Sequence, residues 1–298
     1  MHSKTKAVIY VLICVALWAL IPVVSKLGQT NLDNHQFLFW SSLVSLIAFL
    51  ATSMFVKQIK TFKAYTSKDW MKAIGLGFLG TYLYYILLYF GYAKAQGLEV
   101  LVLQYTWPTF IVILSVLILK EKLNFLKVLS VVLGFTGVFL ILSKGNFNQI
   151  HLENYSIDLL ILLAAFVFGL FSVLSKKVQL EPYTMITIYF LTATVASFIS
   201  MLLLSNFALP TVDSILPILI NGLFVNGFSY IFWIMALKEA KASFVAPFVF
   251  LTPVLSATYL ILFFNEKLLP IYGLGLLAVI IGGLLNREKD MSRINYKN

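Results

Sequence analysis

Charged residues are what this chain has least of. Asp, Glu, Lys and Arg make up 11% of its 298 residues, against about 25% in a soluble domain, so a water-soluble globule is excluded. Cysteine is nearly absent as well. Cys14 is the single one, which rules out an intrachain disulfide framework and a cysteine-rich metal site. Inside an apolar run it reads as a packing residue. The three histidines, His2, His35 and His151, fall in predicted termini or loops, and none is spaced with other ligands for a metal. The chain also lacks a P-loop, an HExxH, a GxSxG and any pair of acids inside an apolar segment. Enzyme chemistry has nothing to stand on, and no metal or cofactor is expected.

What is there instead is hydrocarbon. Hydrophobic residues make up 60% of the chain and the mean hydropathy is +0.93, the composition of an all-α membrane protein with the lipid bilayer as its solvent. The net charge of +10 does not point to nucleic acid, because the basic residues sit in short segments between apolar runs and form no stripe on a folded face. The start, MHSKTKAVIYVLICVALWALIPVV, has a basic head like that of a signal peptide. Its apolar run continues without a small-residue cleavage site, so a retained first helix is expected.

A helix needs about 20 apolar residues to cross a bilayer. By that measure ten helices are predicted, at 7–27, 37–56, 70–91, 98–118, 125–143, 157–175, 183–205, 214–236, 242–263 and 268–286. The runs are too long and continuous for barrel strands. With the N-terminus placed in the cytoplasm, eighteen of the twenty-two basic residues fall on the inner side, leaving Lys26, Lys94, Lys144 and Lys267 outside. Basic residues mark the cytoplasmic side, so both termini are expected there. The expected location is a cytoplasmic (inner) membrane, with a multi-pass chain.

The chain also writes one segment twice. WPTFIVILSVLILKEKL (107–123) returns 145 positions later as TPVLSATYLILFFNEKL (252–268). The same offset pairs Tyr85 with Tyr230, Ala95 with Ala240, Glu121 with Glu266, Lys122 with Lys267 and Gly137 with Gly282. With an offset of 150, WALIPVVSK (18–26) pairs with FGLFSVLSK (168–176), and so Trp18 with Phe168. Two units of five helices follow, residues 1–150 and 151–298. Five is odd, so the second copy must lie upside down in the membrane. Inverted repeats are the architecture of alternating access, with the solute site between the halves near the midplane. A small-molecule solute is the expected partner, and nothing in the sequence requires an oligomer.

Candidate site residues come from polar-tipped aromatics placed away from the membrane interfaces. Tyr82, Tyr85 and Tyr89 share one predicted face of helix three; Asn226, Tyr230 and Trp233 share one in helix eight, with Ser229 beside them. Helix four carries Gln104 and Trp107 on one stripe, with Tyr105 close by, and Trp18 and Phe168 correspond through the repeat. For a single aromatic the competing reading is core packing. The amides and Ser229 weigh toward function, because a polar group in the membrane needs a partner. Pro108 and Pro253 share a repeat position and are predicted to kink their helices as a hinge, whereas Pro22 and Pro247 have no such equivalence. Glu99, at the outer end of helix four with Lys94 nearby, is the one acid expected inside an apolar run. Two readings of it stand side by side, a functional intramembrane acid and a solvated interfacial one: either proton coupling rests on Glu99 or the carrier is uncoupled.

At this point the residues resemble a known group. The two five-helix halves, the LWALIPVVSK-like segment of helix one and the Pro…Glu-Lys-Leu endings of helices four and nine are similar to the EamA-type members of the drug/metabolite transporter superfamily, over essentially the whole chain. Within that group LEVLVLQYTWPTF (98–110) and NGFSYIFWIMALKEAKASFVAPFVFLTPVLSA (226–257) resemble the bacterial aromatic amino-acid exporters. The matching positions are Glu99, Tyr105, Trp107 and Pro108; Gly227, Phe228, Tyr230 and Trp233; and Thr252 to Ser256. Tyr82 matches by its distance from Gly91-Tyr92-Ala93. The resemblance implies a central cavity ringed by helices one, three, four, six, eight and nine, and export of aromatic amino acids or related metabolites. One departure is FWSSLV (39–44), where many such proteins carry an arginine. Rival readings are a multidrug or cationic-compound exporter and a sugar or nucleotide-type carrier. A membrane enzyme and a channel are disfavoured by the missing catalytic pair and the missing charged rings.

Overall fold

The structure, a computed structural model, describes residues 3–95, 100, 103–143, 145–146, 148, 155–264 and 269–285. Helices are the regular structure among them, and no strand occurs. Six are long and apolar enough to cross a membrane: Ser3–Ser25, Asn34–Phe55, Ser67–Gly91, Tyr155–Lys177, Pro182–Leu204 and Val212–Glu239. Four shorter apolar helices, Trp107–Leu119, Phe125–Leu140, Ala242–Ser256 and Gly273–Gly282, accompany them. Glu99, Glu266 and Lys267 lie outside the described residues.

Helix starts follow local chemistry. Asp33 and Thr66 each accept a bond from the third helical N–H, and the Gln36 and Asp69 side chains accept one from the cap's own N–H, so two orphan donors are satisfied at each start. Glu181 caps Pro182–Leu204 through the Thr184 N–H.

Several spans are not regular throughout. The first turns at Ala19–Leu20, between Ser3–Trp18 and Ile21–Gly28. Ser67–Gly91 passes through a π-helical stretch, Phe78–Leu83, and Val212–Glu239 through another, Asn221–Phe228. Shifted by 145, the first π stretch falls on residues 223–228, inside the second. Such segments are rare and concentrate at functional sites.

The expected hinge needs correcting. Pro108 is the second residue of Trp107–Leu119, which follows a turn at Tyr105–Thr106, and Pro253 is the third of Leu251–Phe264, which follows the 3₁₀ segment Ala246–Phe250. Helix beginnings have N–H groups without intrahelical partners anyway. Both prolines therefore mark a seam between two helical segments rather than a kink inside one.

Helices pair mainly across the two sequence halves. Asn34–Phe55 packs on Pro182–Leu204, Phe125–Leu142 on Pro270–Leu285, Ser3–Trp18 on Ser229–Glu239, and Tyr84–Lys94 and Trp107–Leu119 both on Tyr155–Lys177. At the Phe125–Leu142 and Pro270–Leu285 crossing, repeat-related glycines bring backbones close. A Cβ at Gly137 would lie 2.6 Å from the Gly275 carbonyl oxygen, and one at Gly282 would lie 2.9 Å from that of Ser130. Small residues at such crossings let backbones touch, the main source of helix association in lipid.

Candidate functional site

The irregular segments converge on a cluster of aromatic rings. Trp18, the last residue of its helix, stands at the centre. Its ring centroid lies 5.8 Å from that of Trp107, 5.8 Å from Phe168, 5.4 Å from Trp233 and 6.5 Å from Tyr230. Trp107 meets Phe168 at 5.0 Å and 79°, and Trp233 at 5.6 Å and 86°. Tyr84 closes the group at 4.6 Å from Phe168. Edge-to-face contacts of this kind match positive ring edges to negative faces.

The polar tips of several rings are already bound to protein. The Trp18 Nε1–H donates to Ser229 Oγ at 2.9 Å, and the Trp233 Nε1–H to Ser172 Oγ at 3.1 Å. The Tyr230 hydroxyl donates to the Gly80 carbonyl at 2.8 Å, within the first π stretch. Gln104 Nε2 donates to the Tyr84 hydroxyl at 2.8 Å, and Ser256 Oγ to the Ala19 carbonyl at the turn of the first span. With those tips engaged the rings are fixed, and the fully buried Tyr230 and Trp233, with Ser229, back Trp18 rather than line the central cavity.

A cavity of about 20 Å³ remains in the middle, room for one water. Six of its lining residues are those singled out from sequence: Trp18, Tyr85, Gln104, Tyr105, Trp107 and Phe168. Ile21, Tyr84, Val249 and Thr252 complete it. The Thr252 hydroxyl is buried without a hydrogen-bond partner, an open polar position at the cavity wall. A larger hollow of about 800 Å³ lies between Asp69–Leu79 and Leu174–Leu180. Its wall mixes exposed apolar residues, Met71 and Phe78, with Asp69, Lys72, Lys177 and Gln179, and none of the residues singled out from sequence lines it.

Other predicted residues fall elsewhere. Tyr82 is half-buried against the exposed Phe78, apart from the cavity. Its expected shared face with Tyr85 and Tyr89 does not hold, because the π stretch ending at Leu83 widens the turn and breaks the 3.6-residue stripe. The same widening brings the neighbours Tyr84 and Tyr85 to the cavity together. Tyr89 is buried against Phe37, 6.2 Å away. Asn226 is buried within the second π stretch, and its Oδ1 has no partner.

The expectation that Glu99 is the sole acid inside the bundle is also corrected: Glu121 and Asp158 are both buried. Glu121 accepts from the N–H groups of Ala242 at 2.9 Å and Ser243 at 3.0 Å, and from Ser243 Oγ at 2.6 Å. It thereby ties the end of Trp107–Leu119 to the start of Ala242–Val245. Lys127 Nζ donates to the same Ser243 hydroxyl at 2.9 Å. Lys176 Nζ donates to the carbonyls of Leu237 and Ala240 nearby. A latch of hydrogen bonds thus closes one end of the bundle. At the opposite end Gln36 and Trp40 donate to the carbonyls of Asn206 and Ala208, joining the second span to the loop after the seventh.

Residues 5–143 and 155–287 each match the EamA-like transporter family. The chain belongs to that family and is a membrane transporter. It is 24% identical over 294 residues to an uncharacterized transporter of Archaeoglobus fulgidus, covering 97% of this chain and 99% of the relative. The aromatic amino acid exporter YddG of Salmonella typhimurium is 25% identical over 209 residues, 65% of this chain and 69% of its own. The S-adenosylmethionine uptake transporter of Rickettsia bellii is 27% identical over 191 residues, 61% and 62%. A solved crystal structure superposes with a TM-score of 0.84 at 16% identity, covering 95% of this chain and 97% of that one.

Proposed function

We propose that this transporter exports aromatic amino acids from the bacterial cytoplasm by alternating access around the aromatic cluster. The observation that carries the reading is a cavity lined by the rings of Trp18, Tyr84, Tyr85, Tyr105, Trp107 and Phe168, with the polar tips of Trp18 and Tyr84 bonded to protein and the Thr252 hydroxyl in its wall left unpartnered. Rigid aromatic edges and faces suit an aromatic solute, each stacked pair adding about 0.5–1.5 kcal/mol beyond area burial. Similarity to proteins named as aromatic amino acid exporters supports the choice of solute.

A single-water cavity is too small for such a solute, so the rings must part to admit one. The six long and four shorter apolar helices, the matched π stretches and the two family matches support ten spans in two inverted five-helix units. In this reading the halves rock about the seams at Ala19–Leu20, Tyr105–Thr106 and Ala246–Phe250. The Glu121 latch closes the cytoplasmic end, where the bias of basic residues also places both termini. A second reading, a carrier of cationic solutes, draws on the same rings, whose faces attract cations, and on the S-adenosylmethionine relative.

The test is counterflow into proteoliposomes preloaded with unlabelled tryptophan, phenylalanine, threonine or S-adenosylmethionine. Labelled tryptophan and phenylalanine are expected to accumulate, and Trp107→Ala or Phe168→Ala to slow them at least tenfold. Exchange of the sulfonium compound alone would replace the substrate and keep the site; unchanged kinetics in both variants would remove the site.

A further inference from the structure

Asp158 lies in the first turn of Tyr155–Lys177, is 5% exposed, and neither of its carboxyl oxygens has a hydrogen-bond partner. A carboxyl stripped of water with nothing to bond is costly in the interior of a membrane protein and marks a functional position by default. Glu121, by contrast, is saturated by three donors.

The position of Asp158 along the helix says what it could meet. Asp158, Ile161, Ala165, Phe168 and Ser172 recur at three- and four-residue steps and are all buried, while Leu159, Leu163 and Phe166 on the other side are exposed. Asp158 is therefore on the bundle-facing stripe that leads to the aromatic cluster at Phe168. Ten residues of helix separate the two, about 15 Å. That exceeds the length of an amino acid, so Asp158 is a second station rather than part of the first. It also lies at the helix end away from Lys176 and the latch.

The opposing helix supplies one cation at this level. Tyr84 rests on Phe168, and a Cβ at Gly91 would come within 2.7 Å of Ile161, so the two helices run antiparallel and Lys94 falls at the register of Asp158. Lys94 is exposed and makes no ion pair with Asp158. The cluster itself offers the solute ring edges, an amide and hydroxyls, but no anion for an ammonium group.

We propose that Asp158 is a cation-binding residue on the path out of the aromatic cluster, receiving the ammonium group of the departing amino acid. This rests on the amino-acid-export reading. An ammonium arriving at an unpartnered carboxyl would gain charge-assisted hydrogen bonds that no other described group on that stripe can supply.

Counterflow with three indoles tests it: tryptophan, tryptamine, which keeps the ammonium and lacks the carboxylate, and indole-3-propionate, which keeps the carboxylate and lacks the ammonium. The native protein is expected to carry tryptophan at least tenfold faster than indole-3-propionate. Asp158→Asn should bring tryptophan and tryptamine down to the indole-3-propionate rate, leave that rate unchanged and not lower the melting temperature, and Asp158→Glu should restore part of the difference. Equal slowing of all three solutes by Asp158→Asn, or no slowing, would overturn the proposal. So would recovery of full tryptophan transport by the charge exchange Asp158→Lys with Lys94→Asp, which would make the role an internal ion pair. A native protein that carries none of the indoles would overturn the export reading and this proposal together; one that carries tryptophan and indole-3-propionate equally well would overturn this proposal alone.

Discussion

Glu121 joins two segments that are distant in sequence through one side chain. Its carboxyl takes up the N–H groups of Ala242 and Ser243, which as the first donors of a helix have no intrahelical acceptor. Removing the acceptor would leave them and the Ser243 hydroxyl without it, each loss being worth about 1–3 kcal/mol when buried. Glu121→Ala is therefore expected to lower stability by about 2–4 kcal/mol and to loosen this end of the bundle. The measurement is maleimide labelling of Ala242→Cys, whose site is 0% exposed, against a background where the only native thiol, Cys14, is equally buried. Labelling should be slow with Glu121 present and at least tenfold faster in Glu121→Ala; equal rates would mean the latch does not govern access. The sequence named the Glu-Lys-Leu pair as a repeated motif but could not show what it bonds, since Ala242 and Ser243 carry no mark of being capped from 121 residues away. Asp158 was missed for a related reason. One acid at the edge of an apolar run reads as interfacial, and only the packing of the neighbouring helices decides that it is buried.

At the scale of the element, the spans were legible and their interruptions were not. Ten continuous apolar runs announce helices because lipid leaves the backbone no other open choice. The six long helices fall where the runs predict, with ends displaced by up to about four residues. A π stretch, however, has no compositional signature, and a 3.6-residue period carried through one puts Tyr82 on the face of Tyr85 and Tyr89, whereas it packs against Phe78. Each π stretch has a glycine at its start held against a neighbouring backbone, Gly77 just before the first and Gly222 at the second position of the other. A Cβ at Gly77 would lie 2.6 Å from the Tyr189 Cα, and one at its repeat partner Gly222 would lie 2.7 Å from the Ser41 carbonyl oxygen. Backbone cannot retreat as a side chain can, so Gly77→Ala is expected to separate the third span from Pro182–Leu204 and to cost about 1–3 kcal/mol. Gly75, two residues earlier in the same helix, has nothing within 4 Å of the Cβ position. Gly75→Ala should be neutral or stabilising by up to about 1 kcal/mol, from helix propensity alone. Thermal unfolding in detergent compares the two: a lower melting temperature for Gly77→Ala and none for Gly75→Ala is expected. An equal drop would show that the helix tolerates no alanine for reasons unrelated to contact.

For the molecule as a whole, the pairing of helices predicts how it assembles. Each principal partnership joins a helix before residue 150 to one after it: Asn34–Phe55 with Pro182–Leu204, Phe125–Leu142 with Pro270–Leu285, Ser3–Trp18 with Ser229–Glu239, and Tyr84–Lys94 and Trp107–Leu119 with Tyr155–Lys177. The aromatic cluster is likewise shared, with Trp18, Tyr84 and Trp107 from one side of the chain and Phe168, Tyr230 and Trp233 from the other. Either half alone would expose to lipid the small-residue surfaces at Gly137 and Gly282 and the buried polar groups of Glu121 and Ser243, which bond each other across the halves. Lipid solvates apolar faces well, but leaves polar ones unpartnered at a cost of several kcal/mol each. Residues 1–150 and 151–298, expressed as separate chains, should therefore be recovered from detergent extracts only when produced together, should co-purify through a tag on one of them, and should retain exchange of labelled solute. A half that purifies by itself as a stable monomer would show that its core is complete without the other. The aromatic cluster would then be a contact between two independent units rather than the centre of one.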